Sequence, residues 1–185
     1  MSEPTVLVVD DEASYVEAYA TWLSGDYEVR TATGGTAALE ELDESVDVVF
    51  LDRRMPDLSG EAVLKEARRR GVDCRIAMVS GVDPEPDIVE MPFDDYLVKP
   101  VEREELVTTV GALARLDEVT EDLQECYTLA AKKAVLETAI DETELAESEE
   151  YTGLLDRLAA LESGVEATIE DLVEAGRTAA VYQSL

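Results

Sequence analysis

Four short segments, far apart in the chain, carry the groups that phosphoryl transfer to a carboxylate requires. They are Val9-Asp10-Asp11-Glu12, Leu51-Asp52, Ser80-Gly81 and Lys99-Pro100. Each follows a short apolar run: Val6-Leu7-Val8-Val9, Val48-Val49-Phe50-Leu51, Ile76-Ala77-Met78-Val79 and Tyr96-Leu97-Val98. If those runs are parallel strands of one sheet, all four segments open at the same carboxyl edge. Three carboxylates, a hydroxyl and an ammonium then converge on one spot. Adjacent acids after an apolar strand repel each other. A Mg²⁺ ion, which prefers carboxylate and water oxygens in an octahedron, would relieve that repulsion. Asp52 is then the expected nucleophile, with the cation offsetting charge on the incoming phosphoryl group. Lys99 offers a point charge to phosphate oxygens. The chain has only four lysines, so one set directly between a strand and a proline is unlike a scattered surface lysine. Ser80 ends a strand where its hydroxyl can meet a phosphate oxygen. Pro100 is expected to hold a tight turn, cis being one option, that aims Lys99.

The positioning elements follow from the hydrophobic pattern. Strands are predicted near 5–9, 27–31, 47–51, 75–79 and 95–98, and helices near 13–23, 35–43, 60–70 and 102–115. The first and third strands are almost wholly apolar, as strands buried on both faces should be. Tyr27-Glu28-Val29-Arg30-Thr31 alternates, as an edge strand would. The third helix ends at Gly71, a plausible C-terminal glycine. This β/α alternation predicts an α/β fold, a doubly wound five-stranded parallel sheet with right-handed crossovers. In such sheets sites form beyond the strand carboxyl ends, where the strand order switches. Residues 82–92 hold Pro84, Pro86 and Pro92, so at most two helical turns are expected there.

From Glu102 to about Ile140 the pattern predicts one long helix, or two with a bend. Residues 141–150 read as an acidic break. A second helix follows, with Leu154, Leu158, Leu161, Val165, Thr168, Leu172, Ala175 and Ala179 in a heptad stripe. Two striped helices joined by a short loop predict an α-helical hairpin or coiled-coil domain. The expected division is residues 1–116 and 117–185. The apolar faces must bury against each other, against the first domain or against a second copy; the stripe favours a homodimer.

The formal net charge is −29, from 44 acidic and 15 basic residues. Both parts share it: residues 1–116 carry 26 acids and 11 bases, and residues 117–185 carry 18 and 4. At ordinary salt such a field pushes the compact state apart. At molar salt the screening length falls to ~3 Å, so a salt-rich, halophilic cytoplasm is expected. Nucleic acid finds little attraction in this surface. No apolar stretch approaches the ~20 residues that span a bilayer, and Met1-Ser2-Glu3-Pro4 shows no secretory signal. The two cysteines, Cys74 and Cys126, read as reduced intracellular thiols. The absence of histidine excludes a His-based triad, an imidazole metal site and a phosphohistidine relay within this chain.

The ordered set Val8-Val9-Asp10-Asp11-Glu12, Leu51-Asp52-Arg53-Arg54-Met55-Pro56-Asp57-Leu58-Ser59-Gly60, Ser80-Gly81 and Asp94-Asp95-Tyr96-Leu97-Val98-Lys99-Pro100 resembles the receiver domain of two-component response regulators. The likeness spans roughly residues 4–116. It implies a flavodoxin-like receiver that is a phosphoacceptor, not an enzyme, beyond assisting its own phosphorylation and dephosphorylation. It further implies that a sensor histidine kinase transfers its phosphoryl group to Asp52. Asp10, Asp11, Asp52 and the backbone carbonyl of Arg54 would hold Mg²⁺, Ser80 and Lys99 would contact the phosphoryl oxygens, and Tyr96 would be the switch aromatic. A basic residue at Arg53 departs from the family pattern, and Arg53 or Arg54 could reach the phosphoryl group. Residues 117–185 are similar to the HalX-type helical extension of haloarchaeal receiver proteins.

The resulting expectation is a response regulator that signals through its C-terminal helices to a downstream protein. The alternative is a DNA-binding transcriptional regulator. Against that stands a C-terminal part whose only bases are Lys132, Lys133, Arg157 and Arg177. A phosphate-ester hydrolase of the haloacid type needs a second acid two residues after its nucleophile, and Arg54 stands there.

Overall fold

In the computed structural model the described residues are 4–82, 84–116 and 121–174, and of these the side chains of Arg115 and of residues 165–174 lie outside the description. The chain forms two compact units, one of residues 1–83 and 91–114, the other of 84–90 and 115–185.

The first unit holds five strands: β1 (Thr5–Val9), β2 (Glu28–Ala32), β3 (Val48–Asp52), β4 (Arg75–Ser80) and β5 (Asp95–Val98). They pair in parallel in the order β2-β1-β3-β4-β5, with flanking helices. The helices are α1 (Ala13–Leu23), α2 (Gly35–Glu41), α3 (Gly60–Arg70) and α4 (Arg103–Leu116). The expected sheet is therefore present, each element within a few residues of its predicted place. All residues of β1 and β3 are buried, and Val6, Leu7, Val48, Val49 and Leu51 are fully so. β2 is an edge strand, as expected, and of its five residues only Ala32 is buried.

The crossover from β1 out to β2 and back through β1's other side to β3 puts a switch of direction between β1 and β3. The register sets Val9 beside Leu51, so Asp10 and Asp52 leave neighbouring strands at nearly the same height. The register of β4 with β5 sets Ser80 beside Val98, and Lys99 follows directly.

Helix α3 sits tightly on the loop that carries Asp52. Ser59 caps it by accepting a hydrogen bond from Ala62 N–H (3.3 Å), and Gly60 N–H bonds the Arg53 carbonyl (3.0 Å). Gly71 ends it in the left-handed region, at φ 71°. A Cβ at Gly60 would collide with the backbone carbonyl oxygen of Asp52. Gly60→Ala is therefore expected to destabilise the protein by about 1–3 kcal/mol, as overpacking against backbone does. Gly153, in the helix Glu149–Glu174, faces open space, and Gly153→Ala should stabilise by about 1 kcal/mol. Denaturant midpoints of the two variants, moving in opposite directions, check both statements.

The arginine run at the end of α3 is structural. Arg68 donates to the carbonyls of Cys74 (2.6 Å) and Pro92 (3.2 Å) and to the buried Asp94 carboxylate (3.0 Å). Arg69 and Arg70 pair with Glu66 at one-turn spacing.

The second unit contains α5 (Glu121–Ala139), α6 (Glu142–Glu147), α7 (Glu149–Glu174) and a single 3₁₀ turn, Pro86–Glu90. The 3₁₀ turn fits the proline-limited expectation of at most two turns. The acidic stretch 141–150 is not a plain break: it contains α6. Asp141 caps that helix, accepting from Thr143 N–H (3.0 Å), acids in its first turn suit the positive end of the helix, and Leu145 is buried. Helix α7 accordingly starts at Glu149, before the first leucine of the stripe.

Leu129 of α5 and Leu154 and Leu158 of α7 form a buried cluster, with Val89, Cys126 and Leu161 packed against it. The apolar faces of the hairpin thus meet each other and the 3₁₀ turn. Lys132 is buried there and donates to the Val89 carbonyl (2.7 Å). The stripe positions from Val165 to Ala179 lie outside the described side chains.

Candidate functional site

Lys99 ties the strand ends together. Its Nζ lies 2.6 Å from Asp10 Oδ2 and 2.8 Å from Asp52 Oδ1. Asp10 is 2% exposed and Asp52 5%, so two carboxylates that water barely reaches share one ammonium. A buried carboxylate without a partner would be costly; here each has one. The Lys99–Pro100 peptide bond is cis.

The remaining bonds of the two acids are local. Asp10 Oδ1 accepts from Glu12 N–H (2.9 Å), and Asp52 Oδ2 accepts from Arg54 N–H (2.8 Å). Burial pushes the Asp52 carboxyl above the usual carboxylate range, against the hydrogen bond and charge of Lys99, which pull it down. Burial alone would lower the Lys99 ammonium, but its bonds to Asp10 and Asp52 outweigh that and raise it. The ammonium therefore stays charged between the two carboxylates.

An open cleft of about 440 Å³ covers this cluster, lined by Asp11, Glu12, Tyr15, Asp52, Arg54, Ser80, Gly81, Val82, Lys99 and Pro100. The structure thus brings Asp11, Asp52, Arg54, Ser80 and Lys99 to one cleft, with Asp10 behind Lys99. Asp11 is exposed at its mouth. Arg53 is not among the residues that line the cleft, and its Nε bonds Oε1 of Glu61 (2.9 Å), in the first turn of α3. Arg54 is the arginine that faces the cleft.

Ser80 and Tyr96 converge on one residue. The Ser80 hydroxyl accepts from Val82 N–H (3.2 Å), and the Tyr96 hydroxyl donates to the Val82 carbonyl (3.1 Å). Tyr96 is 5% exposed and packs against Phe93 (ring centroids 5.8 Å apart).

The donor set suits a hard divalent cation: carboxylate oxygens, no sulfur, no imidazole. Among the described residues no three His, Cys, Asp or Glu side chains stand closely enough to enclose a metal on their own.

Sequence reasoning missed two features here. Asp94, read as part of a motif, is a structural acid, accepting from Arg68, Arg75 and Ile76 N–H. Tyr15 lies under Lys99, its ring centroid 4.2 Å from Nζ. The signal for Tyr15 was the aromatic spacing Tyr15, Tyr19, Trp22 along the helix that follows Asp10 and Asp11.

Comparison with known proteins identifies the family. Residues 6–111 match the response regulator receiver domain family, and residues 115–181 match the HalX domain family. The chain is similar to a Haloferax volcanii protein provisionally named a transcriptional regulator, 45% identical over 92% of this chain and 29% of that one. It is similar to the sensory transduction protein RegX3 of Mycobacterium tuberculosis, 37% identical over 60% of this chain and 51% of that one. The chain therefore spans about half the length of RegX3 and less than a third of the Haloferax relative. Among solved structures it is similar to the response regulator TrrA of Thermotoga maritima in complex with Mg²⁺-BeF, at 33% identity and TM-score 0.54, covering 60% of this chain and 98% of that one. A Francisella response regulator receiver domain matches at 29% identity and TM-score 0.56, covering 60% and 97%. No helix among the described residues is long and apolar enough to cross a membrane.

Proposed function

We propose, from the premise that this chain belongs to the response regulator receiver family and carries a HalX domain behind its receiver, that Asp52 accepts a phosphoryl group and that the C-terminal helices relay the change to a protein partner. One observation carries the reading: a buried Asp52 carboxylate opens into the cleft while bonded to Lys99, which also holds Asp10. An oxygen of Asp52 attacks phosphorus, the bond from phosphorus to the donor breaks, and the donor leaves with that electron pair. The donor expected in the cell is the phosphohistidine of a sensor kinase, and cytoplasmic placement follows from that partner. Asp10, Asp11, Asp52 and the Arg54 carbonyl would hold Mg²⁺, which when bound offsets charge on the phosphoryl oxygens. Lys99 moves from Asp52 toward those oxygens, and Ser80 offers its hydroxyl. The protein is a phosphoacceptor in this reading, not a turnover enzyme.

The receiver is read as residues 1–116 and the output part as 117–185. Val82 is the relay point. A Ser80 hydroxyl drawn to the phosphoryl group would release Val82 N–H, and Tyr96, whose hydroxyl now bonds the Val82 carbonyl, would respond as the switch aromatic. Two residues on, the chain enters the 84–90 segment, whose Val89 is held by Lys132 and by the leucine cluster of the hairpin. A change at Val82 thus has a covalent route into the helical unit. The test is incubation of the full chain with a small phosphodonor in molar KCl. Incorporation of one phosphoryl group that requires Mg²⁺ is expected; labelling without Mg²⁺, or none with it, would count against the reading.

The name of the Haloferax relative favours a second reading, in which the helical part contacts DNA. The low number of bases there opposes it, since duplex binding rests on neutralising phosphates and weakens with salt. A gel shift at molar KCl separates the two, and a sequence-specific complex would overturn the protein-contact reading.

A further inference from the structure

Lys99 has a third partner that the phosphoryl chemistry leaves unexplained. Its Nζ sits over the ring of Tyr15, 4.2 Å from the centroid, while two of its donors go to Asp10 and Asp52. A cation over an aromatic face is stabilised by the ring quadrupole, more so when water is kept away. The Lys99 side chain is only 10% exposed, so the contact is largely dry. Tyr15 is itself held: its ring lies 5.8 Å from that of Tyr19, which lies 5.7 Å from Trp22. These residues follow one face of α1 at four- and three-residue spacing. Tyr19 is 2% exposed, and its hydroxyl is pushed up to about 12, first by burial. It works as ring packing behind Tyr15.

We infer that Tyr15 is a positioning residue for Lys99, its ring face keeping the ammonium inside the cleft while Asp52 exchanges its bond to Lys99 for a bond to phosphorus. The need arises from this chain's own charge. Asp11 and Glu12 are exposed at the cleft mouth and line it. When Asp52 becomes an acyl phosphate its hold on Lys99 changes, and those acids compete for a long, swinging ammonium. An aromatic face attracts the cation without being a rival anion. It leaves the donors free to turn from carboxylate to phosphoryl oxygen.

The inference rests on the phosphoacceptor reading for its kinetic consequence, but not for the contact itself. Two variants of the full chain test it in molar KCl with Mg²⁺ and phosphoramidate. Tyr15→Leu keeps bulk and removes the ring, and should slow labelling roughly threefold to thirtyfold, the range that loss of a partly to well desolvated cation–π contact gives. Tyr15→Phe keeps the face and should label within about twofold of the parent. The affinity for Mg²⁺, followed by the emission of Trp22, the sole tryptophan, should stay the same in both. The ε-methylene protons of Lys99 should show an upfield ring-current shift in the parent and in Tyr15→Phe, lost in Tyr15→Leu. Equal labelling by Tyr15→Leu and the parent, or a Tyr15→Phe as slow as Tyr15→Leu, overturns the inference. So does a Lys99 shift indifferent to the ring. If the parent itself takes no label, the phosphoacceptor reading fails, while the Lys99 resonance still decides the contact.

Discussion

Asp52→Asn should take up no phosphoryl group from a small donor under conditions that label the parent fully. The carboxamide has the size of the carboxylate and can keep the hydrogen bond from Arg54 N–H through its oxygen. What it lacks is the anionic oxygen that forms the bond to phosphorus. A catalysed step that depends on one nucleophile loses most of its rate with it; losses on the order of 10⁴ or more follow removal of such a group. Intact-mass spectrometry reads the result directly. Stability needs separate attention, because the change also leaves Lys99 with one charged partner. Asp10 still holds the ammonium at 2.6 Å, so the fold should survive with a shift of about 1 kcal/mol, the scale of one net hydrogen bond. Undiminished incorporation in a folded Asp52→Asn protein would place the acceptor elsewhere, Asp11 and Glu12 being exposed carboxylates that line the cleft.

Why the site was readable and its surroundings were not follows from the range of each interaction. Asp10, Asp52, Ser80 and Lys99 each end an apolar strand, and parallel pairing alone brings strand ends together. The apolar pattern of β1, β3, β4 and β5 therefore located four groups at once. Tyr15 was different. Its pattern said only that it lies on a helix with Tyr19 and Trp22, and an aromatic stripe at helical spacing is usually core. Its partner lies 84 positions away, and nothing local marks that distance. Arg53 against Arg54 shows the same limit. Both are arginines after Asp52, but one bonds Glu61 and the other lines the cleft. Helix α6 was hidden because acids in number read as a solvated break, when a cap at Asp141 and one buried leucine suffice for a short helix. Gly60 was visible as a residue in a motif; only the contact with the Asp52 carbonyl shows why a methyl group there is excluded.

Salt should change stability more than any single surface substitution. The net charge of −29 is spread over both units, and many bases already have acid partners. Arg30 pairs with Asp43, Arg68 and Arg75 with Asp94, Arg69 and Arg70 with Glu66, Arg103 with Asp26, Lys133 with Glu137 and Arg157 with Glu125. The acids left over have few cations to face. Glu102, Glu104 and Glu105 crowd the start of α4, and Glu149 and Glu150 that of α7. Acids at a helix start are favoured by the helix dipole, but their mutual repulsion is not removed by it. At roughly 0.1 M salt the screening length of about 10 Å lets neighbouring carboxylates repel; at about 1 M it is about 3 Å and they no longer do. The surface ion pairs weaken as well, yet each contributes only about 0–1 kcal/mol, so relief of repulsion wins. Raising KCl from roughly 0.1 M to about 2 M should lift the melting midpoint by about 10 °C or more, a few kcal/mol at about 2–4 °C per kcal/mol for a chain of this size. Sucrose at matched osmolality separates causes, because it stabilises by exclusion from the surface and screens nothing. A KCl effect no larger than that of sucrose, or a midpoint already maximal at low salt, would show that this acidity is tolerated without screening.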